Sequence, residues 1–159
     1  MIVRLLLENV LSFKEKSVVN FQAGTIKEYK DNLYPFHAGS SDFILKSLGV
    51  FGHNASGKSN LIKAISFMRE FILNSSKESS SAQDIPVQPY LLSSESETKS
   101  STIEITFIIE SIKYRYGFSL NKKCIDSEWL FFTEKRKEEK VFIRAAQDYS
   151  FEKTFKVGL

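Results

Sequence analysis

The string Gly52-His53-Asn54-Ala55-Ser56-Gly57-Lys58-Ser59 constrains this chain more than any other feature. It follows the apolar run Leu48, Gly49, Val50, Phe51 and precedes apolar residues at helical spacing, Leu61, Ile65, Met68 and Ile72. The run predicts a strand over Ile44 to Phe51 that is buried on both faces, and the spacing predicts a helix from Lys58 to near Asn74. Gly52 and Gly57 let the main chain curl so that successive N–H groups point into one concavity, where the helix N-terminus adds about half a positive charge. That concavity suits a polyphosphate, with Lys58 between the outer phosphates and the Ser59 hydroxyl on a bridging Mg²⁺. The plainer reading is a strand-to-helix turn with a solvated lysine. The fixed positions and both flanks together weigh against it.

Around this centre the pattern is mostly β. Ile2 to Glu8 and Ser17 to Phe21 read as strands, and residues 23–43 read as a loop that Phe36 and Phe43 pin to a core. Asn74 to Thr102 is serine-rich and broken only by the island Ile85 to Leu92, so most of it is expected to lack fixed structure. Ile103 to Ile109 and Tyr114 to Phe118 alternate around a turn at Glu110 to Lys113, which predicts a hairpin. Ile125 to Thr133, Lys140 to Arg144 and Tyr149 to Phe155 read as further strands, with Glu134 to Glu139 as a charged turn.

Composition removes several alternatives. With 22 Lys and Arg against 19 Asp and Glu, the net charge of +3 is too small and interspersed to mark a nucleic-acid surface. The same holds for the Glu134 to Lys140 tip, whose glutamates offset its basic residues. One cysteine, Cys124, excludes an internal disulfide and a cysteine-rich zinc site, and reads as a small buried or half-buried filler; His37 and His53 alone do not make a metal cluster. No apolar run approaches the ~20 residues that span a bilayer, and no signal-peptide pattern opens the chain, so a cytoplasmic protein without a membrane partner is expected. A guanine-reading Asn-Lys-x-Asp is not present, since Asn121 to Cys124 ends in cysteine. Small nucleotide kinases place the loop nearer the N-terminus. Trp129, Phe131 and Phe132 alternate as sheet-packing residues rather than as a base-stacking platform.

The wording of the helix goes beyond a generic phosphate loop. Gly52 to Met68, GHNASGKSNLIKAISFM, resembles the G-x-N-x-[SG]-G-K-S-N-[LI]-x-x-A-[IL]-x-F pattern of ABC-type ATPase heads of the SMC, RecF and OLD group, with Asn54, Asn60, Ala64 and Phe67 as the additional matches. It is similar above all to prokaryotic AAA-family ATPases of the abortive-infection type. Asn9 to Phe13, NVLSF, matches that group's N-x-x-SF phrase after the first strand. Tyr114, Tyr116, Gly117 and Phe118 resemble its Y-x-Y-G-F strand, and Glu128, Trp129 and Leu130 its E-W-L strand.

The resemblance implies an α/β P-loop NTPase half-domain, ABC-ATPase head-like, with a mixed sheet, a Walker A helix and a largely antiparallel β lobe. Residues 1–159 would be the N-terminal part of such a head: strands over 1–22, strand, P-loop and helix over 44–74, a flexible serine-rich segment over 75–102, and antiparallel β over 103–157. It implies that Gly52, His53, Asn54, Ala55, Ser56, Gly57, Lys58, Ser59 and Asn60 bind ATP, that Ser59 holds Mg²⁺, and that Gln88 is a candidate Q-loop ligand to the metal. Where SMC-type heads carry a basic residue in the loop after the first strand, this chain has Leu11, with Lys14 the nearest cation.

Complete members hydrolyse ATP with a Walker B aspartate and following glutamate, a signature motif and a switch histidine. None of these occurs here, and Phe107 to Glu110 reads as a core strand rather than Walker B. The expectation is ATP binding without turnover by this chain alone. The resemblance also implies a missing C-terminal ATPase lobe, a homodimer of full-length heads, and a DNA or nuclease partner in phage defence or DNA maintenance. The alternative is a non-catalytic interaction module with a vestigial P-loop, using the sheet Ile103 to Phe155 as its contact surface. Affinity for Mg²⁺-ATP separates the two.

Overall fold

The computed structural model describes residues 1–24, 28–36, 42–74, 84–134, 137–145 and 148–151. Its frame is a seven-stranded sheet built from β1 (Ile2–Glu8), β2 (Ser17–Asn20), β5 (Ser101–Ile109), β6 (Ile112–Leu120), β7 (Ile125–Thr133), β8 (Glu139–Ala145) and β9 (Asp148–Phe151). The order is β2-β1-β5-β6-β7-β8-β9, and every pairing is antiparallel. Alternation explains the pairing. Ile103 and Ile105 face one side of β5 and Glu104 and Thr106 the other, while Glu110 and Ser111 take the left-handed conformation that a tight two-residue hairpin turn requires.

The helix α1 (Lys58–Asn74) lies on one face of this sheet. Leu61, Ala64 and Met68 recur at helical spacing and bury against Leu5 and Leu7 of β1, Ile103 of β5, and Phe118 and Leu120 of β6. Phe118 is fully buried and packs edge-on against Phe67 and 4.5 Å from the Phe71 ring. By the two-residue repeat, Ile108 falls on the opposite face of β5 from Ile103. There it meets Val3 and Ile44 in a smaller cluster with Phe21 and Phe36. Gly117 of β6 is glycine because the Trp129 indole crosses it: a Cβ there would come within 2.6 Å of the ring. The Trp129 Nε1–H donates to Glu104 Oε2 at 3.0 Å, and Arg115 bonds the same carboxylate while lying 4.3 Å from the Phe131 ring centre. These aromatic residues pack on the sheet, as their alternation predicts.

Several expectations are corrected. The strand over Ile44 to Phe51 is not formed: β4 covers only Phe43–Leu45, and Leu48, Val50 and Phe51 are 41%, 49% and 94% exposed. The physical reason is that a strand of this composition needs a neighbour on each side, and no parallel pairing occurs among the described residues. The sheet is therefore antiparallel rather than mixed.

The segment read as a loop over 23–43 contains a 3-10 turn, Lys30–Asn32, and β3 (Leu33–Pro35), which pairs with β4. Phe36 packs into the smaller cluster as expected, whereas Phe43 is exposed. Residues 84–100 are fixed rather than loose: Val87 joins the core, a short helix α2 forms at Ser94–Glu97, and Asp84 pairs with Lys123. Cys124 is exposed, because Asn121 Oδ1 accepts the N–H of Lys123 and of Cys124 and holds both in a turn outside the core. The expectations for residues 75–83 and for 152–157 lie outside the described residues.

Candidate functional site

The glycine loop stands where the sequence places it, at the head of α1. Ala55 and Gly57 have φ of 62° and 90°, the left-handed turns that fold the loop over itself. For Ala55 that conformation costs about 1 kcal/mol, which the surrounding bonds must offset. Ser56 N–H donates to the His53 carbonyl at 3.2 Å. The Gly57 carbonyl accepts the N–H of both Asn60, at 2.9 Å, and Leu61, at 3.1 Å, and so starts the helix. The first N–H groups of a helix have no partner within it, and the macrodipole makes their surroundings favourable to anions.

Lys58 folds back into the loop. Its Nζ donates to the carbonyls of Gly52 at 2.8 Å and His53 at 2.6 Å, and lies 3.3 Å from Ser56 Oγ. The loop thus carries an ammonium held by its own main chain. Asn54, Ala55, Ser56, Gly57, Lys58, Ser59 and Asn60 line an open cleft of about 510 Å³. Ser59 is exposed in the first helical turn, so its hydroxyl is open to a cation. The side chains of His53 and Asn54 are exposed, and the His53 carbonyl is what the loop uses.

Gln88 is not brought into the loop by any bond. Its side chain is exposed, and its carbonyl accepts the Leu11 N–H at 2.8 Å. The bond reveals a connection that the sequence patterns leave hidden. The turn after β1, Asn9 to Phe13, touches the loop on one side and residues 88–101 on the other. Asn9 and Leu11 both have positive φ, at 50° and 53°, and Ser12 packs against Gly57 so closely that a Cβ on that glycine would come within 2.5 Å of Ser12 Oγ. The local signal of this turn is the Asn9 to Phe13 phrase just after the first strand, headed by an Asn, a residue type that tolerates the left-handed conformation. No metal-binding cluster of His, Cys, Asp or Glu occurs among the described residues, and no helix there is long and apolar enough to cross a membrane.

A family model described as "AAA domain, putative AbiEii toxin, Type IV TA system" matches residues 47–158. The match starts just before the glycine loop and runs through the antiparallel strands. No curated protein matches the chain.

Proposed function

Because the chain belongs to this AAA-domain family, whose members are nucleotide-binding and ATPase-like, we propose that its glycine loop binds Mg²⁺-ATP as part of an ABC-type head of the SMC and RecF kind. The observation that carries the reading is the Lys58 ammonium, held over the loop by the Gly52 and His53 carbonyls beside an open polar cleft. In this reading Gly52 to Asn60 surround the triphosphate, with main-chain N–H groups at the head of α1 as donors and Lys58 neutralising the outer phosphates. The exposed Ser59 hydroxyl is a suitable hard oxygen donor for Mg²⁺, with Gln88 as a second candidate. Held there, the metal would supply positive charge to offset that of the phosphates.

No Walker B Asp-Glu pair and no Ser-Gly-Gly string occurs within the 159 residues, so hydrolysis would need groups supplied from elsewhere. A second ATPase lobe is the natural source. Its parallel strands would cover Leu48 to Phe51, and its bulk would cover Ile62 and Leu73 on the outward side of α1, all exposed here. Head-to-tail dimerisation of the heads of complete proteins, a DNA or nuclease partner, and a cytoplasmic role in phage defence or DNA maintenance complete the proposal by family analogy.

Calorimetric titration with Mg²⁺-ATP and Mg²⁺-GTP, on the wild type and on Lys58→Ala, tests the reading. Saturable ATP binding that the variant loses supports it. A wild type that takes up no ATP at millimolar concentration favours an interaction module that keeps the loop only as a turn.

A further inference from the structure

The turn after β1 is tied into the molecule by bonds that cross most of the chain. Asn9 is 4% exposed, and its side chain is used on main-chain groups far along the sequence. Its Nδ2 donates to the carbonyls of Ser96 and Lys99, each at 2.8 Å, and its Oδ1 accepts the Tyr90 N–H at 3.2 Å. Its own carbonyl accepts the Ser101 hydroxyl at 2.5 Å. The next link is Leu11, whose N–H goes to Gln88. The last is Ser12, exposed, with no hydrogen-bond partner for its hydroxyl among the described residues, resting against Gly57. Gly57 in turn supplies the carbonyl that starts α1 and precedes Lys58.

From this geometry we infer that Asn9 is the positioning residue of the glycine loop, acting through Ser12 on Gly57. The functional half of the inference rests on the phosphate-binding reading above. A loop whose N–H groups must converge on a ligand binds more tightly when fewer conformations have to be given up, and a group that restrains it contributes without touching the ligand. Asn9 is suited to this because both ends of its amide are occupied. The turn cannot rotate without breaking bonds to Tyr90, Ser96 and Lys99, and those bonds hold the Ser12 main chain beside Gly57.

Two variants and two readouts test the inference. Asn9→Ser removes the amide, and Ser12→Ala removes the exposed oxygen that meets Gly57 while leaving every described hydrogen bond in place. The first readout needs no nucleotide: amide exchange at Asn60 and Leu61, the two N–H groups bonded to the Gly57 carbonyl. Both variants are expected to speed that exchange about tenfold while the amides of β5 and β6 keep their protection. The second readout is the Mg²⁺-ATP dissociation constant, taken well below the melting transition of each variant. It is expected to rise about tenfold in either variant, the usual scale for loss of an outer support. The double variant should cost little more than one single, because both changes break the same path.

Unchanged exchange at Asn60 and Leu61 in folded Asn9→Ser overturns the inference, as does full additivity of the two variants. A fall in melting temperature with neither readout moved also overturns it, leaving Asn9 as a purely structural residue. Faster exchange in a protein whose wild type binds no ATP upholds Asn9 as the loop's support and overturns the phosphate-binding reading instead.

Discussion

The two sides of α1 carry similar side chains and meet opposite surroundings. On the inner side Leu61, Ala64 and Met68 are buried on β1, β5 and β6, whereas Ile62 and Leu73 on the outer side are 63% and 55% exposed. The same contrast separates the sheet strands from Leu48 to Phe51, an apolar run that pairs with nothing among the described residues. The difference lies in where a partner can come from. An antiparallel strand finds its neighbour across a short turn, as β5 and β6 do through Glu110 and Ser111. A parallel strand needs a crossover of about a dozen residues or more, so its burial depends on distant chain. Apolar pattern states that a segment prefers cover; topology decides whether the cover is present.

The contrast can be broken most strongly from the inside. Phe118→Ala removes a fully buried ring from under Phe67 and Phe71, and a loss of about 3–5 kcal/mol is expected in urea unfolding. The neighbouring pair on the helix gives the sharpest comparison. Leu61→Ala should cost about 2–3 kcal/mol and Ile62→Ala less than about 0.5, measured the same way. Equal costs would mean that the outer side is covered in solution.

Gly117→Ala should cost about 1–3 kcal/mol by forcing the Trp129 indole aside, and the cost should shrink when Trp129 is already Ala. The smallest effect is electrostatic. Arg115 bonds Glu138 and holds its carboxyl below the usual range, so this pair contributes stability above the ordinary carboxylate value of 4.5 and loses it as pH falls through the lower folded value. Arg115→Met should flatten that acid limb by less than about 1 kcal/mol, since Glu138 is well exposed. An unchanged limb would assign the acid sensitivity to other carboxylates.

Parts of the molecule that depend on near neighbours were legible in the sequence. The spacing of Leu61, Ile65, Met68 and Ile72 marks α1 to its last residue, and alternation marks β5 to β8. The glycine loop was readable because its glycines and Lys58 occupy fixed positions. What was not readable depends on distant main chain. Asn9 is anchored by groups 81 to 90 residues away, and its partners Tyr90, Ser96 and Lys99 bond through backbone, which leaves no trace in residue type. For that reason residues 84–100 look loose as a composition and are fixed as a structure. The pair β3–β4 is three residues per strand, too short for alternation to register. Cys124 was misplaced because its exposure is set by the Asn121 side chain in the turn rather than by its own hydrophobicity.

The lysine that rests on the Gly52 and His53 carbonyls has a consequence for selectivity. An incoming anion would not meet a free cation; it would compete with three oxygens of the loop, the Gly52 and His53 carbonyls and the Ser56 hydroxyl, for the three N–H bonds of the ammonium. On the proposed reading, a singly charged anion would replace only the oxygens on the ammonium, while a polyphosphate would gain the helix head and a metal along with the lysine. Discrimination between mono- and polyphosphates would then begin in the loop's own internal bonding, before any partner lobe closes over it.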